Sequence, residues 1–292
     1  MNLQGRTVFI TGGSSGIGLG IARACLEEDM NVAFSYRTPA HGEEAQAILG
    51  TEALGVRVDV QERVSVERAM SVVADRFGPV HLLVGNAGLG FPGSVLQATP
   101  LEWEHSLQVN VMGLVHTLQC FVPAMVSHGE PSHVVAVSSA SGLFAAGRAG
   151  VYTTTKFAVM GMMESLQNEL MGSNVGVSIC CPGVVQSRIA DWRRQTPFEE
   201  PGEKADHSVA AVGMDPLEYG RLVLLGVREK ALYIFTHPEY RDGLKERSEA
   251  LLEAYPGTGE VPLARREVAG KVLSSPIYRR ELERLKDAES RG

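Results

Sequence analysis

The stretch Thr11-Gly12-Gly13-Ser14-Ser15-Gly16-Ile17-Gly18 decides the fold, because it separates a short β-branched run from an amphipathic segment. Residues 7–10 before it predict a strand, and residues 19–28 after it predict a helix. In such a unit, the unpaired N–H groups and positive dipole end at the start of the helix face a bound anion. Glycines are needed because a Cβ would hold the backbone away from that anion. The stretch therefore predicts a dinucleotide pyrophosphate site, with a purely structural turn as the alternative.

Further apolar runs rich in β-branched residues follow along the chain, with longer helical patterns between them. They comprise residues 32–36, 55–58, 80–84, 133–137, 175–181 and 232–235. Nearly continuous apolar strands that alternate with helices are typical of a parallel sheet covered on both faces. The sequence predicts an α/β fold, a doubly wound Rossmann-type parallel sheet of about seven strands with helices on both faces.

Composition narrows the function classes. Of the 292 residues, 44% are hydrophobic and 21% charged, which excludes a disordered or fibrous chain. The formal net charge of −7 does not indicate the positively charged surface with which proteins bind nucleic acids or anionic membranes. No unbroken apolar run approaches the ~20 residues of a membrane span, and the first residues do not resemble a secretory signal. We therefore expect no nucleic-acid partner, no membrane association and a cytoplasmic location.

One domain is predicted over residues 1–256, with a substrate lid over 186–213 and a charged tail over 257–292. The lid assignment rests on polar residues mixed with Trp192, Phe198 and two prolines. The tail is weakly apolar, and a docked helix, an oligomer arm and a disordered segment are all compatible with it. Cys25, Cys120, Cys180 and Cys181 have no CxxC spacing and are read as small core residues.

The spacing TGxxxGxG differs from the general GxGxxG dinucleotide fingerprint. It is followed, in order, by Asp59, Asn86-Ala87-Gly88, Asn110, Ser139, Tyr152-Thr-Thr-Thr-Lys156 and Pro182-Gly183. This combination resembles the short-chain dehydrogenase/reductase family over residues 5–190. The segment from Met214 to Pro256 is similar to a branch that includes Cα-dehydrogenases of lignin-derived aryl ethers. The resemblance implies an NAD(P)-dependent oxidoreductase that acts on a small-molecule alcohol or carbonyl and forms a homodimer or homotetramer.

The resemblance also implies a cofactor site. Its residues are Gly12, Ser14, Ser15, Gly16, Ile17, Gly18, Tyr36, Arg37, Asp59, Val60, Asn86, Ala87, Gly88, Tyr152, Lys156, Pro182, Gly183, Val185 and Ser187. Asp59 is implied to contact the adenine. NAD-preferring members usually carry an aspartate for the ribose hydroxyls where this chain has Tyr36, and Arg37 could pair with a 2′-phosphate instead. NADP(H) is therefore favoured, NAD(H) remains possible, and a solvated loop cation is the alternative for Arg37.

Tyr152 and Lys156 lie four residues apart on a helix predicted over 151–171, so their side chains share one face. A nearby ammonium favours the phenolate and is expected to lower the pKa of Tyr152 toward neutral pH. By resemblance, Tyr152 exchanges the proton, Ser139 hydrogen-bonds the substrate oxygen, and Lys156 holds the nicotinamide ribose. Asn110, within a helix, is implied to position a water that links the lysine to solvent; a buried, satisfied amide is the alternative.

Two positions depart from the family pattern. Gly85 stands where the family usually has asparagine, and we expect the missing side chain to loosen the central strand. Ser187 stands where a threonine is often found after Pro-Gly, and it keeps the hydroxyl.

The substrate pocket is predicted to be apolar and to suit a bulky or aromatic carbonyl. Its lining is predicted to include Leu89, Phe91, Pro92, Leu143, Phe144, Val184 and Trp192, with Arg193 and Arg194 either attracting an anionic group or solvated. The predicted function is an NADP(H)-dependent oxidoreductase of secondary alcohols or ketones. The alternatives are an NAD(H)-dependent alcohol dehydrogenase and a cofactor-binding regulator without turnover. No metal site is expected, since His128 and His133 lack a third nearby ligand, and no GxSxG elbow surrounds Ser139.

Overall fold

A computed structural model describes residues 1–91, 93–145, 147, 149–189, 211–255, 257, 260–272 and 275–290. Within these ranges, seven parallel strands form one sheet in the order β3-β2-β1-β4-β5-β6-β7. The strands are β1 (Thr7–Ile10), β2 (Asn31–Tyr36), β3 (Leu54–Arg57), β4 (Leu82–Gly85), β5 (Ser132–Val137), β6 (Val175–Cys180) and β7 (Tyr233–Ile234). The predicted strands are therefore confirmed, with ends that differ by one or two residues.

Helices cover both faces of the sheet. They are α1 (Gly16–Glu27), α2 (Pro39–Leu49), α3 (Arg63–Phe77), α4 (Pro100–Leu107), α5 (Gly113–Ser127), α6 (Gly150–Glu169), α7 (Pro216–Glu229), α8 (Arg241–Glu253), α9 (Leu263–Val272) and α10 (Ile277–Glu289). Alternate residues of each central strand point to opposite faces and are buried on both. Phe9 belongs to the core under α3, α5 and α6, whereas Val8 and Ile10 belong to the core under α1 and α7. The predicted doubly wound α/β fold is thus confirmed.

The helical run from α4 to α5 contains a turn that the sequence did not predict. Residues Gln108–Met112 form a π-helical turn, in which the Gly113 N–H donates to the Gln108 carbonyl five residues earlier. The whole run, Pro100–Ser127, has a mean hydropathy of 1.5 over its most apolar window, enough in length and composition to cross a membrane. Polar residues interrupt the run, so it is not an unbroken apolar stretch, and 56% of its most apolar window is buried within the fold. That burial is typical of a core helix.

The C-terminal helix α10 is docked on the β7 edge of the sheet. Ile277 and Glu281 are buried, and a Glu281 carboxylate oxygen accepts from the Leu232 N–H at 3.1 Å. The hydroxyls of Tyr278 and Tyr233 each donate to the Glu164 carboxylate on α6 at 2.7 Å. Helix α9, in contrast, is exposed over residues 263–270.

Candidate active site

A cavity of about 600 Å³ opens at the carboxyl ends of the strands, beside the point where the strand order reverses between β1 and β4. The predicted site residues that line it are Gly12, Ser14, Ser15, Gly16, Ile17, Tyr36, Arg37, Asp59, Val60, Asn86, Ala87, Gly88, Ser139, Tyr152, Lys156, Pro182, Gly183, Val185 and Ser187. Gly18 and Asn110 lie outside the lining. Sequence reasoning missed Ser35, Thr38, His41, Val58, Gln61, Val109, Val137, Ser138, Arg188 and Ile189, most of which are direct neighbours of predicted residues at strand ends.

The glycine turn between β1 and α1 has the backbone that its sequence requires. Gly12 and Gly16 have φ angles of 62° and 50°, in the left-handed region that favours glycine. A Cβ on Gly16 would also lie 2.7 Å from the Ser187 Cβ across the cavity. The start of α1 faces the cavity, although the Gly12 N–H itself donates to the Ser35 hydroxyl at 2.9 Å. The amides left to hold an anion are therefore those of the helix start rather than that of the first glycine.

Asn86 holds this turn against the end of β4. Its side-chain amide donates to the carbonyls of Thr11 and Gly12, both at 3.0 Å. The Thr11 hydroxyl in turn accepts from the backbone N–H groups of Asn86 and Ala87. Asn86 thus lines the cavity and fixes the two turns that form its floor.

Asp59 and Tyr36 line the end of the cavity that lies beyond β2 and β3. Asp59 lies in the lining, and one of its carboxylate oxygens accepts from the Gln61 N–H at 3.0 Å. The Tyr36 ring lies against α2, where a Cβ on Gly42 would be 2.8 Å from it. Arg37 and His41 also line this end, so basic groups stand beyond β2 where a ribose-binding carboxylate is expected in NAD-preferring chains.

Ser139, Tyr152 and Lys156 converge on the opposite end of the cavity. Ser139 follows β5, and its hydroxyl oxygen accepts from the Ser141 N–H at 3.1 Å. Lys156 is 5% exposed, donates to the Val137 carbonyl at 3.0 Å, and has its Nζ 5.5 Å from the centre of the Tyr152 ring. Neighbouring Ser138 is structural, since its hydroxyl donates to the Lys156 carbonyl at 2.9 Å. The structure thus brings the three side chains to one cavity, and their catalytic roles stay predictions.

The expected lowering of the Tyr152 pKa is wrong for the cofactor-free chain. Burial raises the pKa of Tyr152 to about 12, and a hydrogen bond with Ser139 lowers it by less. Burial also lowers the pKa of Lys156 to about 8, opposed by a smaller effect of Cys181. Removal from water disfavours the charged form of both groups, and this effect exceeds the opposing effects of Ser139 on Tyr152 and of Cys181 on Lys156.

Asn110 occupies the π-helical turn rather than an α-helix, and it is buried behind the cavity. Its amide oxygen accepts from the Leu89 N–H at 2.8 Å, and its amide nitrogen donates to the Leu89 carbonyl and to the Thr155 hydroxyl at 3.0 Å. The side chain therefore ties the loop after β4 to α6, and it matches the satisfied buried amide that the sequence left open as an alternative. The water-positioning role stays a prediction.

The space left by the missing side chain at Gly85, where we expect a looser central strand, is filled by a residue of α5. A Cβ on Gly85 would overlap the Leu114 Cδ1 atom of α5, so the leucine occupies the volume that an asparagine would take. Packing across the central strand is preserved by a residue 29 positions further along the chain.

The predicted apolar lining is only partly assembled. Leu89 and Val184 line the cavity. Phe91, in contrast, is buried in the hydrophobic core, and the partly buried Leu143 packs against that core. Pro92, Trp192, Arg193 and Arg194 lie outside the described residues, as does most of the predicted lid, residues 190–210. Phe144 stacks on Tyr240 with ring centres 5.8 Å apart, a contact that no sequence pattern indicated.

The turn after β6 also touches residues that the sequence did not assign. A Cβ on Gly183 would overlap the Tyr240 ring and lie 2.8 Å from the His237 ring. The His237 Nε2 atom is 3.1 Å from the Val184 carbonyl oxygen. Residues 236–240 therefore pack against the predicted nicotinamide end of the cavity.

Comparison with known proteins gives the family. The model of the family described as short chain dehydrogenase matches residues 6–197. The chain belongs to the short-chain dehydrogenase family. Family members bind NAD(P), and this chain is accordingly an oxidoreductase.

Its relatives include a C alpha-dehydrogenase of Sphingobium sp. strain SYK-6, 30% identical over 266 residues that cover 87% of each chain. A short-chain dehydrogenase of Burkholderia phymatum in complex with NAD superposes with a TM-score of 0.83 at 28% identity, covering 90% of this chain and 100% of that one. LigD in its apo form, also from Sphingobium sp. strain SYK-6, gives a TM-score of 0.76 at 28% identity, covering 88% of this chain and 100% of that one. These matches support membership in the branch of the lignin dehydrogenases within the short-chain dehydrogenase family.

Among the described residues, no group of three or more His, Cys, Asp or Glu side chains is arranged to hold a metal ion. The four cysteines are all buried and unpaired.

Proposed function

We propose that this chain transfers a hydride between NADP(H) and a bulky or aromatic secondary alcohol or ketone, with Tyr152 as the acid–base group. The observation that carries the proposal is the convergence of Ser139, Tyr152 and Lys156 on the cavity that the glycine turn also lines. A redox cofactor and a proton donor are the two elements that carbonyl reduction requires.

Each side chain has a defined task in this proposal. When bound, the nicotinamide supplies the hydride to the carbonyl carbon or accepts it from the alcohol carbon. Tyr152 donates its phenolic proton to the carbonyl oxygen during reduction and takes the hydroxyl proton during oxidation. Ser139 donates a hydrogen bond to the same oxygen and stabilises its developing charge. Lys156 holds the ribose hydroxyls and favours the phenolate once the site is loaded.

The preference for NADP(H) rests on the charges beyond β2. Arg37, His41 and Arg188 line that end of the cavity, and Tyr36 stands where NAD-preferring chains usually have a carboxylate. Arg188 also forms an ion pair with Glu44 on α2 at 3.1 Å, which holds its guanidinium near the same end. A 2′-phosphate would gain charge-assisted hydrogen bonds from these groups. The similar structure from Burkholderia phymatum is in complex with NAD, and this observation favours NAD(H) instead.

A bulky or aromatic substrate is proposed from the apolar side chains at the other end. Leu89, Val184 and Ile189 line the cavity, and the stacked pair Phe144 and Tyr240 lies beside the turn at Gly183. The relative that is named a C alpha-dehydrogenase belongs to the same branch. We further propose a homodimer or homotetramer in the cytoplasm, where four buried free thiols remain reduced.

The decisive experiment follows the absorbance of the reduced nicotinamide with both coenzymes. The substrates are an aryl alkyl ketone, its cyclohexyl analogue and a small dialkyl ketone, each with the matching alcohol. We expect turnover of the aryl and cyclohexyl compounds, a higher kcat/KM than for the small ketone, and a preference for NADPH. Tight NADP(H) binding without turnover across the panel would instead favour a cofactor-binding regulator.

Binding titrations of Arg37→Ala test the coenzyme preference separately. The loss of hydrogen bonds from a cation to a phosphate costs about 1.5–3 kcal/mol, which is roughly a 10- to 100-fold rise in the Kd for NADPH. The Kd for NADH should change by less than about threefold. Arg68→Ala, an exposed arginine on α3, serves as the matched control.

A further inference from the structure

The turn that follows β6 is held from both sides. Its carbonyl at Val184 accepts from the Met214 N–H at 2.9 Å and from His237 Nε2 at 3.1 Å. On the other flank, the Pro182 carbonyl accepts from the Ala140 N–H at 2.8 Å, which joins the turn to the loop that carries Ser139. Of these three hydrogen bonds, the one from His237 is made by a side chain, and His237 lies 53 residues after Val184 in the sequence.

The two hydrogen bonds of His237 hold its ring in place. A carbonyl oxygen can only accept, so Nε2 carries the hydrogen and donates it to Val184. Nδ1 lies 2.7 Å from the Thr236 hydroxyl, which can either donate or accept. The two contacts together fix the orientation of the ring.

The rings of His237 and Tyr240 also fill the space under Gly183. A Cβ at Gly183 would overlap Tyr240, whose ring is in turn stacked on Phe144. The φ angle of Gly183 lies outside the left-handed region, so the backbone conformation does not require glycine here. The packing of the two rings does. Gly183 and Val184 both line the cavity, so the two rings support its wall from behind.

We infer that His237 is a positioning residue for the nicotinamide end of the cofactor site, acting through the Gly183–Val184 turn, with Thr236 fixing its ring. The inference rests on the proposed function only in assigning the nicotinamide to this end. Loss of the Nε2 donor leaves Val184 with the single bond from Met214 and lets the turn move away from the nicotinamide. The ADP end, at β2 and β3, has no contact with His237 in this set and is not expected to depend on it.

Equilibrium binding separates these two ends without any turnover. The probes are the whole dinucleotide that binds more tightly, NADPH or NADH, and the matching ADP-ribose or 2′-phospho-ADP-ribose, which lack the nicotinamide. For His237→Leu we expect the Kd of the dinucleotide to rise roughly five- to thirtyfold, the effect of one or two lost hydrogen bonds. The Kd of the fragment should stay within about twofold of the wild-type value.

Three further variants make the result specific. His237→Gln keeps a donor at the position of Nε2 and should restore binding to within about threefold. Thr236→Val should weaken dinucleotide binding in the same direction and tests the inference if His237→Leu does not fold. His128→Leu is the matched control, since His128 Nε2 bonds the Val80 carbonyl at 3.2 Å at the opposite end of the sheet, and both Kd values should be unchanged.

An unchanged dinucleotide Kd in His237→Leu overturns the inference, as does an equal loss for dinucleotide and fragment. A wild-type chain that binds the dinucleotide no better than the fragment also overturns it. Absence of turnover by the wild type, with the selective binding loss intact, contradicts the proposed function and leaves the positioning role supported.

Discussion

The Lys156 ammonium lies 5.5 Å from the centre of the Tyr152 ring and is tied by a 3.0 Å hydrogen bond to the Val137 carbonyl at the end of β5. Both side chains are thereby held at the same end of the cavity, on one face of α6. Burial, rather than their mutual attraction, sets their titration in the cofactor-free chain: the pKa of Tyr152 rises to about 12 and that of Lys156 falls to about 8. Tyr152 is therefore a protonated phenol at neutral pH, ready to donate.

The first prediction concerns the pH dependence of the two reaction directions. Reduction uses the protonated phenol, so its kcat/KM should be flat between about pH 5.5 and 7.5, below the pKa of Lys156. Oxidation uses the phenolate, whose fraction increases tenfold per pH unit below the pKa, so its kcat/KM should rise across the same range. Steady-state kinetics at saturating cofactor measure both.

Tyr152→Phe should lower both rates by about 10²- to 10⁴-fold, the range for loss of a general acid or base. Dinucleotide binding should be retained. Tyr278→Phe on α10 removes a phenol that donates to Glu164 far from the cavity, and it should leave the rates unchanged. A pH-independent rate of alcohol oxidation would contradict the assignment of Tyr152.

The second prediction is that Lys156→Met stabilises the cofactor-free fold at neutral pH. The folded pKa of about 8 lies below the ordinary value of 10.5, so the fold disfavours the ammonium. The resulting cost is fully present below pH 8 and disappears as the pH rises to 10.5. A difference of this size corresponds to about 3 kcal/mol, part of which the lost hydrogen bond to Val137 offsets. We expect a net gain of about 1–3 kcal/mol at pH 7.

Denaturant unfolding at pH 7 and near pH 10.5 measures this gain and its disappearance. Lys245→Met, on the exposed face of α8, should change the free energy of unfolding by less than about 0.5 kcal/mol at either pH. A Lys156→Met protein that is less stable than the wild type at pH 7 would show that the ammonium is not disfavoured by burial.

The sheet and the cofactor turn could be predicted from sequence because they depend on local patterns. Apolar β-branched runs, and a glycine turn between a strand and a helix such as Thr11–Gly18, can be recognised from a few consecutive residues. The contacts of His237 and Tyr240 with Gly183 join positions more than 50 residues apart, and no spacing rule reports such contacts. The π-helical turn at Asn110 depends on packing that composition does not encode.

The direction of the Tyr152 pKa shift is predicted wrongly from the sequence for a different reason. The sequence supplies the neighbouring charge of Lys156 but says nothing about how much water each group loses on folding. Since desolvation opposes the charged form of both groups, the balance between the two effects can be obtained only from coordinates.

The third prediction concerns the glycine that replaces asparagine after β4. A side chain at Gly85 would overlap Leu114, so Gly85→Asn should destabilise the fold by about 1–3 kcal/mol through overpacking. Leu114→Ala alone should cost about 2–5 kcal/mol because it leaves a cavity.

In the double variant, each substitution supplies the volume change that the other needs. We expect its free energy of unfolding to exceed the additive value by about 1 kcal/mol or more, a coupling typical of residues in contact. Gly147→Asn, where a Cβ would meet no atom of the described residues within 4 Å, is the control for the substitution itself. Strict additivity would mean that Leu114 does not occupy the missing side chain's volume.

The fourth prediction concerns the docking of α10 on the sheet edge. Glu281 is 7% exposed, and its carboxylate accepts from the Leu232 N–H at 3.1 Å and from the Arg284 guanidinium at 2.8 Å. Leu232 lies one residue before β7, and the carboxylate supplies the acceptor for its buried N–H. Glu281→Ala leaves the Leu232 N–H without this acceptor and frees Arg284.

We expect Glu281→Ala to lower the free energy of unfolding by about 1–3 kcal/mol, the cost of leaving a buried donor unsatisfied. Hydrogen exchange of the Leu232 amide should accelerate, because undocking of α10 exposes it to water. Glu283→Ala, on the exposed side of the same helix, should alter neither quantity by a measurable amount. If both variants behave alike, helix propensity rather than the carboxylate governs the docking, since the two substitutions remove the same side chain from one helix.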